Sequence, residues 1–209
     1  MKSNKNLIIF IKEIFSQNWA YGNKTLFLSQ IVSFILIAYY NLSNGYVMSP
    51  DSNSYSEWAD KLIDLNFNLY NYYLQNTFIN PNYLYTTPVL IIAFIKVLFG
   101  AEWQYFFMYF NLGLVFFSIF IFSKSLILIN VRPLIISLTL SLIMLSADLL
   151  TWPRYILTDM IFSFLIILLI FVIIKNIVEK KFNYLLLLFL LILIYLTRPT
   201  SFPYIFAIL

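Results

Sequence analysis

Five long apolar runs separated by short polar links organise the chain, at about 25–42, 104–122, 133–150, 160–174 and 183–197. Each approaches the ~20 residues that a helix needs to cross a hydrocarbon core of about 30 Å. A sixth apolar stretch, Thr87 to Gly100, reads "TPVLIIAFIKVLFG" and differs in kind: it opens on Pro88, closes on Gly100 and carries Lys96. Its length fits a re-entrant, interfacial or buried helix better than a span. Ahead of the first run, Leu7, Ile8, Ile11, Ile14 and Phe15 alternate with Lys2, Lys5 and Lys12, a pattern for a short helix on the membrane surface. Behind it comes "MSPDSNSYSEWADKL", Met48 to Leu62. Ser54 to Glu57 has the spacing of a capping box, and Tyr55, Trp58, Ala59 and Leu62 fall on one helical face. This predicts a helix along the outer surface, with Asp51 in the loop just before it.

The basic residues decide which side each link faces. If 87–100 does not cross, then Lys124, Arg132, Lys175, Lys180 and Lys181 fall on the same side as the N-terminal lysines, as the positive-inside rule requires. If it does cross, those residues lie outside. The expectation is therefore a juxtamembrane or re-entrant helix at 87–100, a cytoplasmic N-terminus, and three outer segments: 43–103, 151–159 and the turn at Arg198. The flank "NLSNGYVM" lacks a small-residue cleavage pattern, so the first run reads as an uncleaved signal anchor.

Composition agrees with the pattern. At 62% hydrophobic, 20% aromatic and 11% charged residues, the chain lies far from soluble domains and reads as one all-α, polytopic membrane domain over 1–209. The net charge of +4 is spread between the apolar runs, which speaks for topology and against nucleic acid. With no cysteine and no histidine, disulfides, thiolate nucleophiles and imidazole bases are excluded. Chemistry must rest on carboxylates, Tyr, Ser, Lys or Arg. The closing "PTSFPYIFAIL" starts another apolar run that stops at Leu209, which reads as a fragment, a truncated frame or an interfacial segment.

Four of the nine acidic residues, Asp51, Glu57, Asp60 and Asp64, gather behind the first run. Asp51 reads either as a functional carboxylate at the membrane–water boundary or as a helix cap. Asp159, in "RYILTDM", is either functional or paired with Arg154 five residues earlier. Asp148 is a weaker acid of the same kind. Arg198, in "YLTRPTSFPY", is suited to grip a phosphate, and snorkelling is its rival reading. Lys96 carries the same two readings. The outer tyrosines and Trp58 (Tyr46, Tyr55, Tyr70, Tyr72, Tyr73, Tyr83, Tyr85) suit an interfacial belt that can also stack on sugar rings.

Together, the outer "PDSNSYSEWADKL", the short "TPVLIIAFIKVLFG", the acid of "LTDMIF" and the basic "LTRP" turn resemble the N-terminal part of GT-C fold membrane glycosyltransferases. The protein-mannosyltransferase-like and aminoarabinose-transferase-like bacterial enzymes are the nearest in kind. The resemblance implies a GT-C-like helical bundle that transfers sugar from a polyprenyl-phosphate donor to a glycan, lipid or protein acceptor hydroxyl. It makes Asp51 the catalytic base, with Tyr55 and Ala59 at matching places, Asp159 the second outer acid, and Arg198 with Lys96 the holders of donor phosphate. Ser52 stands where the family commonly has a further acid, so no cofactor is fixed and a divalent metal stays open. Without the resemblance, a lipid-linked-saccharide transporter or an inactive membrane subunit also fits. The richness in Ile, Asn, Lys, Phe and Tyr is that of an AT-rich bacterial genome, which gives a bacterial inner membrane and a role in the cell envelope as the expected setting.

Overall fold

The computed structural model describes residues 24–75, 85–144, 146 and 150–198. The N-terminal surface helix, Asp148, Tyr83 and the run after Pro199 lie outside the described residues. Among the described residues, α-helices follow in this order: α1 Lys24–Asn44, α2 Pro50–Asp64, α3 Leu69–Gln75, α4 Thr86–Phe99, α5 Trp103–Leu128, α6 Pro133–Met144, α7 Asp159–Glu179 and α8 Tyr184–Tyr195. Those residues hold no strand, only a single parallel bridge between Val47 and Tyr155. The all-α expectation holds.

Within the same residues, three apolar segments are long enough to cross a membrane: Lys24–Asn44, Thr86–Leu128 and Asp159–Glu179. The second is not one rod. Gly100 closes α4 with φ 55° and ψ −125°, and the Gly100–Glu102 turn redirects the chain into α5. The 26 residues of α5 alone extend about 39 Å at 1.5 Å per residue. Within the expected spans at 133–150 and 183–197, the described residues show the helices Pro133–Met144 and Tyr184–Tyr195, 12 residues each.

The long helices α5 and α7 form the centre, with α1 and α6 against one side and α8 along α7. One core joins Phe107, Ile121, Leu165, Phe171 and Ile194 with Ala59, Leu62 and Ile92 from the short helices. A second packs Ile37, Ile119, Ile136 and Leu140 between α1, α5 and α6. Within a face this apolar, the buried polar residues are informative. Asn41 Nδ2 donates to Leu150 O at 2.8 Å, and Asn111 Nδ2 donates to Pro153 O at 3.1 Å and to Tyr155 O at 3.2 Å. Both side chains are fully buried. They fasten the link between α6 and α7 to the interior faces of α1 and α5.

Further contacts gather at the same end of the bundle. Val47 N donates to Arg154 O, and Ile156 N to Val47 O. Thr87 N donates to Leu196 O, which holds the start of α4 at the end of α8. Tyr105, in the first turn of α5, meets Tyr46 edge-on at 4.8 Å between ring centres. Both ends of α4 are thus attached at one end of the bundle, and its length lies on α2.

Gly100 and Gly113 separate conformation from packing, since an added Cβ at either meets nothing within 4 Å. Gly100 holds a backbone conformation that L-residues avoid, whereas Gly113 is helical. Gly100→Ala is expected to destabilise by about 1–3 kcal/mol, and Gly113→Ala to stabilise by up to about 1 kcal/mol. Thermal melting of both variants in detergent checks the sign reversal.

Candidate functional site

The site is built on the first two turns of α2. Ser49 is its N-cap: Ser49 Oγ accepts from Ser52 N at 3.2 Å, and Ser49 N donates to Ser52 Oγ at 3.0 Å, with Pro50 in the first helical position. The capping box is therefore Ser49 with Ser52, not Ser54 with Glu57, and the helix starts before Asp51 instead of after it. Asp51 is neither in a loop nor the cap. It lies exposed in the first turn, where the positive end of the helix dipole favours a carboxylate. Ser52 is buried and spent in the cap, which accounts for a serine at that place.

One turn on, Ser52, Tyr55, Ala59 and Leu62 form the buried face of α2, close to the face that the spacing predicts. Tyr55 is 7% exposed and packs against Trp58 at 5.5 Å and Tyr85 at 5.3 Å between ring centres. Its phenol is hydrogen-bonded to the Thr158 side chain. Burial first, then Tyr85, Asp51 and Asp159, push the phenol up to about 12, against the lowering effect of the Thr158 bond. Both carboxylates thus lie within electrostatic range of one hydroxyl. Asp51 reaches it from the preceding turn and Asp159 from the start of α7.

Asp159 pairs with Arg198: Arg198 Nη1 donates to Asp159 Oδ1 at 2.6 Å. The pairing with Arg154 is not what forms. Arg154 instead donates from Nε to Gly45 O and from Nη2 to Asn44 O, capping the C-terminus of α1. The physical reason is the Trp152–Arg154 turn and the bridge at Tyr155, which aim Arg154 back at α1 while Asp159 opens the next helix. Arg198 also stands 5.9 Å from the Phe162 ring. A guanidinium has five N–H donors, and one bond to Asp159 does not exhaust them.

Lys96 is placed elsewhere. Its Nζ donates to Ser56 O at 3.0 Å, Ser56 Oγ at 2.7 Å and Asp60 Oδ1 at 2.6 Å, and lies 4.9 Å over the Trp103 ring. These contacts lock α2, α4 and α5 together beside a hollow of about 360 Å³ that Asp60, Lys96 and Trp103 help to line. Asp51, Tyr55, Asp159 and Arg198 belong to one neighbourhood, and Lys96 to the adjoining α2–α4 junction. Thr158 is a residue that sequence reasoning misses, because a hydroxyl next to an outer acid gives little to find it by. Among the described residues no group of three or more carboxylates is placed to hold a metal ion.

No family model, curated protein or solved structure matches this chain.

The raised phenol has a stability consequence. Because folded Tyr55 keeps its proton to about pH 12 and an unfolded tyrosine to about 10, the contribution is complete below pH 10 and is lost as pH rises towards 12. Tyr55→Phe is expected to cost about 1 kcal/mol at neutral pH through the lost hydrogen bond, and to flatten the alkaline fall in melting temperature. Melting curves of both proteins between those pH values check it.

Proposed function

We propose that the chain is a membrane glycosyltransferase of GT-C type that moves a sugar from a polyprenyl-phosphate carrier to an acceptor hydroxyl on the outer face of a bacterial inner membrane. The observation that carries the reading is the convergence of Asp51, Tyr55, Asp159 and Arg198 at one end of an apolar bundle. These residues come from three segments far apart in the chain. An acid for the acceptor, a cation for the donor and aromatic rings between them are what such a reaction needs at a membrane boundary.

In the proposed reaction the acceptor oxygen attacks the anomeric carbon, the bond from that carbon to the phosphate oxygen breaks, and the polyprenyl phosphate leaves. Asp51 takes the acceptor proton as the bonds change, since a carboxylate is too weak a base to remove it from a sugar hydroxyl beforehand. Arg198, steered by Asp159, stabilises charge on the leaving phosphate, an effect that grows where water is excluded. The rings of Trp58 and Tyr85, 5.8 Å apart, offer a stacking face for a pyranose. Lys96 holds the junction that carries α2 through Ser56 and Asp60, and the donor phosphate is assigned to Arg198.

The orientation rests on α4 returning to the end of the bundle from which it starts. A juxtamembrane α4 then leaves residues 44–75, 150–158 and Arg198 outside, and Arg132, Lys175, Lys180 and Lys181 on the cytoplasmic side.

Asp51→Asn is expected to lower transfer from a polyprenyl-phosphate sugar by at least about a hundredfold, while melting temperature stays near that of the parent because Ser49 still caps α2. Unchanged transfer would overturn the role of Asp51. For sidedness, Asn53 and Trp152 are exposed positions at the proposed outer end, and Lys181 an exposed one at the other. Single cysteines at 53 and 152 are expected to react with an impermeant thiol reagent on intact cells, and one at 181 only after permeabilisation. Labelling of 53 and 181 together would reverse the proposed topology.

A further inference from the structure

A cavity that the proposed reaction does not use lies between α7 and α8, about 680 Å³ in volume, within the size range of ligand sites. Its lining is sorted along its length. From Phe164 to Val172 on α7 and from Leu186 to Leu193 on α8 every lining residue is apolar. The polar ones, Lys175, Asn176, Glu179, Lys181 and Asn183, all stand at one end. That end is the far end of α7 from Asp159, some 30 Å away along a 21-residue helix.

Three of the polar groups are already engaged. Asn183 Oδ1 accepts from Leu186 N as the cap of α8, and Lys175 and Glu179 face each other at 3.7 Å in a long pair between neighbouring turns. Asn176 is different: it is 6% exposed, and its amide nitrogen is buried with no hydrogen-bond partner among the described residues. In an apolar surrounding, an unmade hydrogen bond of this kind costs about 1–3 kcal/mol. The amide donor of Asn176 stands beside Lys181 and the Lys175–Glu179 pair, so the polar mouth of the groove carries one net positive charge and a buried donor, which are complementary to an anionic headgroup.

We infer that the α7–α8 groove is a binding site for one anionic phospholipid of the leaflet opposite the transfer site, with the phosphate at Lys175, Asn176 and Lys181 and an acyl chain along Phe164 to Leu193. Length chooses this occupant. The apolar part of the α7 wall, Phe164 to Val172, is about 12 Å long, close to the ~15 Å of hydrocarbon in one leaflet. The extended chain of a polyprenyl donor would have to enter from the other leaflet and leave its phosphate at the wrong end. The groove lies in a different part of the bundle, and only the choice of leaflet and the exclusion of the polyprenyl donor rest on the proposed transfer site.

The test uses the whole chain in nanodiscs of phosphatidylcholine, with and without phosphatidylglycerol, and native mass spectrometry of the lipid retained on release from the disc. Phosphatidylglycerol is expected to be retained in preference to phosphatidylcholine and to raise the melting temperature. Lys175→Gln combined with Lys181→Gln is expected to weaken that retention roughly tenfold or more and to leave phosphatidylcholine unaffected. Equal retention of the two lipids by the unaltered chain overturns the inference, and this comparison stands even if the double variant fails to fold. So does selective retention of added polyprenyl phosphate over phosphatidylglycerol that the double variant loses, because it would place that lipid in the groove and not at Arg198. Concentration-dependent dimers that the double variant loses, with no lipid retained, would assign the groove to a second copy and also overturn it.

Discussion

Residues 150–158, the described stretch that leads into α7, turn tightly at the end of an apolar bundle, and their polar groups need partners that lipid does not supply. Each one left unsatisfied there costs several kcal/mol. Asn41 and Asn111 provide them from inside, through side-chain amides that donate hydrogen bonds to Leu150 O, Pro153 O and Tyr155 O, and Val47 provides them from the flank through the bridge. Arg154 completes the arrangement by satisfying the last carbonyls of α1. Where this link sits determines where α7 begins. Where α7 begins determines what Thr158 and Asp159 can reach.

From that point the local chemistry follows by adjacency. Thr158 meets the Tyr55 phenol and Asp159 meets Arg198, so the end of α8, the start of α7 and the first turns of α2 are joined by side chains of different segments. The ion pair is only partly buried, with side chains 39% and 26% exposed for Arg198 and Asp159. Its net stabilisation is therefore about 1 kcal/mol at most, too little to hold α8 in place. Apolar packing of Leu190, Leu191 and Ile194 does that, and the pair sets orientation. Lys96 plays the complementary part on the other flank of α2, where a single ammonium group ties α2 to α4 and to Trp103.

Much of this neighbourhood is legible in the sequence because it is written in short-range periodicity. The buried face Tyr55, Ala59 and Leu62 follows from helical spacing, and the placement of Asp159 and Arg198 at helix ends follows from the borders of apolar runs. Pairing over distance is what the sequence hides. Asp159 has Arg154 five residues away and Arg198 thirty-nine residues away, and only the fold makes the second nearer. Lys96 finds Asp60 thirty-six residues back, which hydropathy alone does not reveal. The start of α2 misleads locally: Pro50 behind Ser49 is itself a strong start signal, but Ser54 to Glu57 fits the commoner capping pair. Asn111 is open to the same logic that draws attention to the acids. A buried amide in "FFMYFNLGLVFF" is costly in an apolar helix and escapes notice because it carries no charge.

The two ends of α7 show how far charge placement can be trusted as a sign of function. Asp159 opens the helix, and Lys180 and Lys181 follow its close, which is what the helix dipole favours in any surface helix. Lys180 even adopts a left-handed conformation to end the helix, with Lys181 N returning to Asn176 O. Sign and position alone therefore leave both ends explained as ordinary termini. What separates them from that reading is coupling beyond the helix itself. At one end Asp159 is tied to a cation on the chain just past α8 and influences a phenol on α2. At the other, a buried amide on the wall of an apolar groove has no partner among the described residues. The first is a set of groups already joined across three segments, and the second is a donor whose unmade bond a bound anion would complete.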